Sequence, residues 1–336
     1  MPADIIDIHL HFGAPSGPNG AADGCFWSKK FEKSITFLAM RLVTGSLFGP
    51  VTFERVKRKL LKVVNGSEAV NSGVLLALDK VFDESGRGRD EATHLYISNR
   101  VVAEIARENP RVLFGCSVHP FNPAWGEELD FCLDNGAVLC KWLPSAQLIN
   151  PTHSACIPFF NKLAKHKLPL LYHTGPELSV PTSDESYEEF NNAKYMRRAL
   201  DMGVTVIFAH CSLPFAPGSI SHSRSYQDLL NVMYEATNGG WKAYADLSAL
   251  FILREVYISR VLEDLPLERL VLGSDYPIPM IGWPVKKKLG AWDWIKRVFD
   301  ALRQNPLDRN LKLLRDRGFP ETAFTRAAEL FARIAR

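Results

Sequence analysis

Eight runs of apolar residues, each four to eight residues long and most of them followed by a stretch with helical spacing, restrict this chain more than any other feature it has. The runs cover 4–11, 73–79, 112–118, 137–141, 168–173, 204–210, 243–248 and 270–275. Strands that are apolar throughout, not alternately, are buried on both faces, as in a parallel sheet covered by helices. Helical spacing follows at 96–105, 127–133, 157–164, 190–200 and 226–234, and again through Val256 and Val261. Eight such units joined by right-handed crossovers close into a (β/α)8 barrel of the α/β class. The alternative is an open doubly wound sheet. No G-x-G-x-x-G follows the first run and no P-loop occurs, so the nucleotide-binding sheets lose their main support.

Two stretches stand outside the repeat. Between the first and second runs lies a long connection, 12–72, with Gly- and Pro-rich sequence first and then helical patterns over 26–43 and 53–64. A connection of that length is either a lid over a site or an insertion packed on the outside. After the eighth run, helical patterns over 292–302, 311–315 and 321–334 are expected to pack beside the barrel. No composition shift marks a boundary, so residues 1–336 are expected to form one domain.

With 46% hydrophobic and 23% charged residues, the chain has the balance of an ordinary globular protein. A net charge of +3 is too small to argue for nucleic acid or a membrane surface. The sequence shows neither a signal-peptide pattern nor an apolar stretch of about 18 residues, which points to a cytoplasmic protein acting on a small molecule. None of the six cysteines pairs as C-x-x-C, and several sit in apolar runs as packed thiols. Homo-oligomers remain open.

In a barrel the chemistry sits at the C-terminal ends of the strands. His9 and His11 end the first run, Lys141 the fourth, His173 the fifth, His210 the sixth and Asp275 the eighth. Residues i and i+2 of a strand share a face, so His9 and His11 leave it together, as two metal ligands would. One histidine at a strand end is commonly a satisfied core residue. Four histidines, a lysine and a carboxylate at one barrel mouth are a site.

That ordered set, with H-x-H on the first strand and Gly273-Ser-Asp-Tyr-Pro277 on the eighth, resembles the amidohydrolase superfamily. The closest group is the amidohydrolase-related branch that includes aminocarboxymuconate-semialdehyde decarboxylase. The resemblance implies that His9, His11, His173 and Asp275 hold a divalent metal, zinc first. It implies that His210 is either a catalytic histidine beside the metal or a ligand to a second ion. Lys141 would then be a carboxylated bridge between two ions, or an ordinary ammonium in a one-metal site. Asp275 would take the proton of an activated water, whose pKa zinc brings to about 7. Substrate-binding candidates near the mouth are His119, Trp142, Glu177 and Tyr276, with Ser248 beside them and Phe12, Phe26 and Trp27 as an apolar wall. Each has a structural alternative: a loop histidine for His119, a surface carboxylate for Glu177, and packing for the aromatic residues.

The function expected on these grounds is metal-dependent hydrolysis of a C–N or C–O bond in an amide, ester or lactone. The alternatives are non-oxidative decarboxylation of an unsaturated or aromatic acid, and a barrel that binds metal or ligand without turnover.

Overall fold

The computed structural model of this chain describes residues 4–18, 24–43, 46, 49–215, 219–252, 254–278, 299, 303–332 and 334. Among these residues ten strands, β1 to β10 in chain order, form two sheets. The large one runs β1 (Ile6–His11), β3 (Ser72–Leu76), β5 (Val112–Cys116), β6 (Leu139–Trp142), β7 (Leu170–Tyr172), β8 (Val206–Phe208), β9 (Ala243–Asp246) and β10 (Leu270–Val271). Every pairing in it is parallel. The sheet closes on itself through three backbone hydrogen bonds. The Ile8 amide donates to the Leu272 carbonyl (3.0 Å), Asp275 to His9 (2.9 Å) and His11 to Tyr276 (2.6 Å). This is the barrel that the eight apolar runs predict.

Period-two alternation divides each strand between two cores. Val74, Leu76, Leu139, Leu171, Ile207 and Val271 pack inside the barrel, where Ala327 and Leu330 of the last helix join them. Their neighbours Leu75, Cys140, Leu170, Tyr172, Val206, Phe208 and Leu270 face the surrounding helices. All six cysteines are buried free thiols. One strand breaks step. The β1–β3 register shifts between Asp7 and Leu10. Ile6 and Ile8 pack inside, whereas Leu10 packs outside. Such a bulge re-aims the side chains beyond it, and here it leaves His9 and His11 at the barrel mouth.

Three sequence-based expectations differ in detail. Residues 25–27 are not helical: β2 (Cys25–Trp27) pairs antiparallel with β4 (Leu95–Ile97), Phe26 opposite Tyr96. Aromatic residues a few positions apart satisfy strand and helix spacing alike over so short a run. The helices begin later, at Ile35–Val43 and at Asn99–Glu108, the second capped by the Ser98 hydroxyl on the Val101 amide. The 190–200 helix is broken into 3-10 turns (Glu185–Phe190 and Ala193–Met196) and a short helix, Arg197–Asp201. Asn192 interrupts it by accepting from the Lys194 amide, an Asx-type bond that competes with helix.

The expected helix over 292–302 lies outside the described residues. Helices Phe53–Asn65, Pro306–Asp316 and Glu321–Phe331 are present. Among the described residues, no helix is long and apolar enough to cross a membrane.

Candidate active site

The interior layer of the barrel fixes what sits above it. Two residues beyond Leu139, Leu171 and Tyr244 on the same strand face come Lys141, His173 and Asp246, so polar groups replace carbon at the mouth. Lys141 and His173 there border a cavity of about 210 Å³ that is also lined by His11, His210, Arg254 and Asp275. The 12–72 connection supplies Phe12, Phe31, Thr36 and Met40 to the same lining. Phe12, named as apolar wall, is therefore in place, whereas Phe26 and Trp27 sit on β2 and do not line the cavity.

His9, His11 and Asp275 converge. His11 Nε2 lies 3.0 Å from Asp275 Oδ1 and 3.1 Å from His9 Nε2, and His9 Nε2 lies 3.6 Å from Asp275 Oδ1. Two imidazole nitrogens and one carboxylate oxygen so close together fit a divalent cation. The buried Nε2 of His173 has no hydrogen-bond partner among the described residues, which is the condition of an unused ligand atom. The backbone helps to aim Asp275. Its φ is +67°, a left-handed conformation that Asp tolerates and bulkier residues resist. Gly273 lies two residues earlier, where a Cβ would sit 3.1 Å from both His9 Cβ and Ser248 Cβ. A side chain there would press on His9 and Ser248 at the mouth.

Asp246 is the residue that sequence reasoning passed over. Its Oδ2 accepts from His9 Nδ1 at 2.6 Å, and its Oδ1 accepts from the backbone amides of His210 (2.7 Å) and Ser248 (3.1 Å) and from the Ser248 hydroxyl. His210 Nδ1 lies 2.7 Å from that hydroxyl. Since the serine proton goes to Asp246, His210 donates to the serine oxygen. A continuous relay, His210 to Ser248 to Asp246 and from His9 to Asp246, therefore fixes both imidazoles with Nδ1 protonated. Nε2 of His9 is left as a lone-pair donor towards His11 and Asp275. His9, His210 and Asp246 also lie within ligand distance of one another. Both oxygens of Asp246 already accept hydrogen bonds from the His9 and His210 segments, so this group fits the role of orienting ligands. Burial alone would push the Asp246 carboxyl up, yet the His9 ring, the Ser248 hydroxyl and the His210 amide hold it below the usual range. The strand-end rule would have found Asp246 had the seventh run been ended there and not at Ser248.

Burial also sets the charges around the cavity. It pushes His173 and His210 well below the usual histidine range, with the Lys141 charge acting next on His173 and the Arg254 charge next on His210. Both rings are kept neutral, as metal ligands must be. Lys141, with Nζ 3.5 Å from His9 Nε2, is pushed down by burial against the pull of Asp246, Asp275 and Glu177. The side chain of Glu177 is buried, so it is no surface carboxylate. Its Oε2 lies 3.2 Å from His173 Nε2 without hydrogen-bond alignment, and its Oε1 accepts from the Ser179 and Val180 amides. Burial raises it to about 7.

Three substrate-binding candidates fall elsewhere. Trp142 is fully buried on the outer face of β6, stacked on Phe159 with ring centroids 5.0 Å apart, and donates to the Val118 carbonyl at 2.9 Å. It sits one residue past Lys141, so the strand alternation turns it away from the cavity. Tyr276 is buried and does not border the cavity, which Pro277 and Ile278 reach instead. His119 is a satisfied core histidine: Nε2 donates to the Gln147 carbonyl (2.9 Å) and Nδ1 accepts from the Phe121 amide (3.1 Å).

Burial pushes His119 down to about 4. It is neutral in the folded chain, while the unfolded chain binds its proton below about pH 6.5. Its contribution is complete above that pH and is lost as the pH falls towards 4, at about 1.4 kcal/mol per unit. His119→Gln should therefore flatten the acid limb of a plot of unfolding free energy against pH between 6.5 and 4. An unchanged limb would locate the acid sensitivity elsewhere.

Comparisons with known proteins agree with the architecture. A family model described as Amidohydrolase matches residues 68–310, which starts beyond β1 and so leaves out the His9–His11 pair. None of the curated proteins matches the sequence. Among solved structures, the chain is similar to 5-carboxyvanillate decarboxylase LigW from Sphingomonas paucimobilis. That likeness has 13% identity and TM-score 0.54, and covers 99% of this chain and 100% of that one. It is similar to a Pseudomonas putida protein put forward as a 2-pyrone-4,6-dicarboxylic acid hydrolase, with 13% identity, TM-score 0.53 and 99% of each chain covered. A Tim-barrel protein from Bordetella bronchiseptica is similar at 14% identity and TM-score 0.53, over 92% of this chain and 99% of that one. At such identities these likenesses speak to the fold.

Proposed function

The chain belongs to the amidohydrolase family, and on that premise we propose that it is a metal-dependent enzyme that hydrolyses a C–N or C–O bond of a small molecule, an amide, ester or lactone. The observation that carries this reading is the meeting of His9 Nε2, His11 Nε2 and Asp275 Oδ1 within 3.0 to 3.6 Å of one another beside a cavity.

In this reading His9, His11, His173 and Asp275 hold one divalent ion, zinc first, since imidazole and carboxylate are ligands that zinc accepts. The ion, when bound, supplies the Lewis acidity that lets water lose a proton near neutral pH. Asp275 takes that proton and returns it to the leaving group. His210, with Nδ1–H committed to Ser248, keeps Nε2 as an acceptor. Glu177 lies beside His173, its carboxylate facing the ring without a hydrogen bond. Burial favours the neutral amine of Lys141, the form that can take up carbon dioxide and bridge a second ion. Metal content decides: one ion per chain assigns a bare lysine, and two ions of which one is lost in Lys141→Met assign the bridge. The 12–72 connection forms the roof through Phe31, Thr36 and Met40. Six buried free thiols suit a reducing cytoplasm.

The test is a panel of amides, esters and lactones assayed with zinc-loaded protein. Chelation should reduce turnover at least a hundredfold and added zinc should restore it. Turnover indifferent to chelation, or no turnover across the panel, would sink the reading and favour a barrel that binds without reacting. Non-oxidative decarboxylation is the second reading. The carbon surface of Phe12, Phe31, Leu76 and Leu143 suits the flat body of an unsaturated or aromatic acid. Carbon dioxide released from such acids without uptake of water would select it.

A further inference from the structure

Arg254 has no place in the metal chemistry, and its position calls for an explanation. Arg254 is 2% exposed, it lines the cavity, and its Nε has no hydrogen-bond partner among the described residues. No carboxylate of the described residues comes within ion-pair distance of it, although Asp275, Glu177 and Asp246 attract it from further off. Its recorded close contact is the face of Phe215, at 4.1 Å from the guanidinium carbon to the ring centroid. Burial holds its pKa down at about 10, still far above neutrality, so it is charged. A buried charge with no counter-ion is costly, and evolution commonly keeps such a group because a ligand completes it.

We propose that Arg254 is a specificity residue that binds a carboxylate carried by the substrate, so that the enzyme acts on small organic acids with an apolar body. The planar guanidinium matches a carboxylate in two parallel hydrogen bonds. One fork supplies one unit of charge, which suits a monoanionic carboxylate better than a phosphate dianion. The stack on Phe215 holds the fork in plane. The rest of the lining is mostly carbon, including Phe12, Leu76, Leu143 and Ile252, and would receive the apolar remainder. Arg254 also acts on His210 and His173 through its charge. The acid would therefore be held in the cavity that the candidate reacting groups also line. This inference rests on the cavity being the substrate site proposed above.

The test uses zinc-loaded protein and two series of probes. One is benzoate, phenylacetate, 3-phenylpropionate and hexanoate, and the other is the corresponding primary amides, with binding followed by calorimetry and by thermal shift. The expected result is that at least one acid binds tenfold or more tightly than its amide. Arg254→Met should abolish that preference and Arg254→Lys should keep part of it. Without ligand, Arg254→Met should melt no lower than the parent, because it loses a buried charge that lacks an ion-pair partner among the described residues, whereas a structural arginine would leave a less stable protein. Acid binding that survives in Arg254→Met and disappears on chelation would assign the carboxylate to the metal and overturn the proposal. So would the absence of any preference for acids across the panel. The two readings fail separately. A protein that takes up no metal but still prefers acids through Arg254 defeats the hydrolase reading alone. A metal-dependent enzyme indifferent to Arg254 defeats this one alone.

Discussion

Asp275→Asn is expected to lower turnover by about 10²–10⁴-fold, the usual range for the loss of a positioned proton carrier. Asparagine is the informative replacement, because residue 275 sits at φ +67° and Asn, like Asp, accepts that conformation with little strain. Alanine would add backbone strain to the loss of chemistry and confuse the two. The amide keeps an oxygen that can face His11 but cannot take up a proton near neutrality. The fold should survive, since the backbone bond from the Asp275 amide to the His9 carbonyl does not involve the side chain. Steady-state kinetics, metal content and circular dichroism on the same preparation check this. Near-parental turnover with metal bound would remove Asp275 from the proton path.

Asp246 should matter more to the protein as a whole. Asp246→Ala leaves the His9 Nδ1–H, two backbone amides and the Ser248 hydroxyl without their acceptor in a fully buried place. Removing one partner of a buried charged network costs about 3–5 kcal/mol, and losing the group that orients a ligand histidine weakens metal binding about 10–100-fold. Asp246→Asn separates the two effects. Its carbonyl oxygen can still accept from His210 and Ser248, while its NH₂ is turned towards His9 Nδ1. His9 would then accept at Nδ1 and carry its proton on Nε2, the wrong tautomer for a ligand. Denaturant unfolding should show most of the stability retained, and a zinc competition titration should show the affinity lost. Unchanged zinc affinity in Asp246→Asn would mean that the His9 tautomer is not set by this carboxylate.

The barrel and most of its mouth could be read before any coordinates. Apolar runs are long-range statements: a strand buried on both faces can hardly be anything else, and its last polar residue marks the mouth. Lys141, His173, His210 and Asp275 were legible for that reason, and all four border the cavity. Trp142 and Asp246 show the limit. Both depend on where a strand ends to within a residue, and a shift of one exchanges inside for outside. His119 directly follows an apolar run, and only its bond to the Gln147 carbonyl, remote in sequence, together with the nearby Phe121 amide, shows that it is already satisfied. Arg254 lies in a loop after β9 and carries no periodic signal. That no carboxylate of the described residues pairs with it directly is a property of three dimensions alone.

The irregular step in β1 has a consequence for how this site can change. Ile6 and Ile8 answer to the barrel floor, while His9 and His11 answer to the mouth, and the extra residue between the two halves lets each be set without the other. A strand in strict alternation would tie them together, since any shift that improved the packing would rotate the imidazoles out of the mouth. The floor can therefore be repacked, by drift or by design, without retuning the histidines. Conversely, deleting one residue there would leave a barrel that still folds but carries His9 and His11 on its outer face.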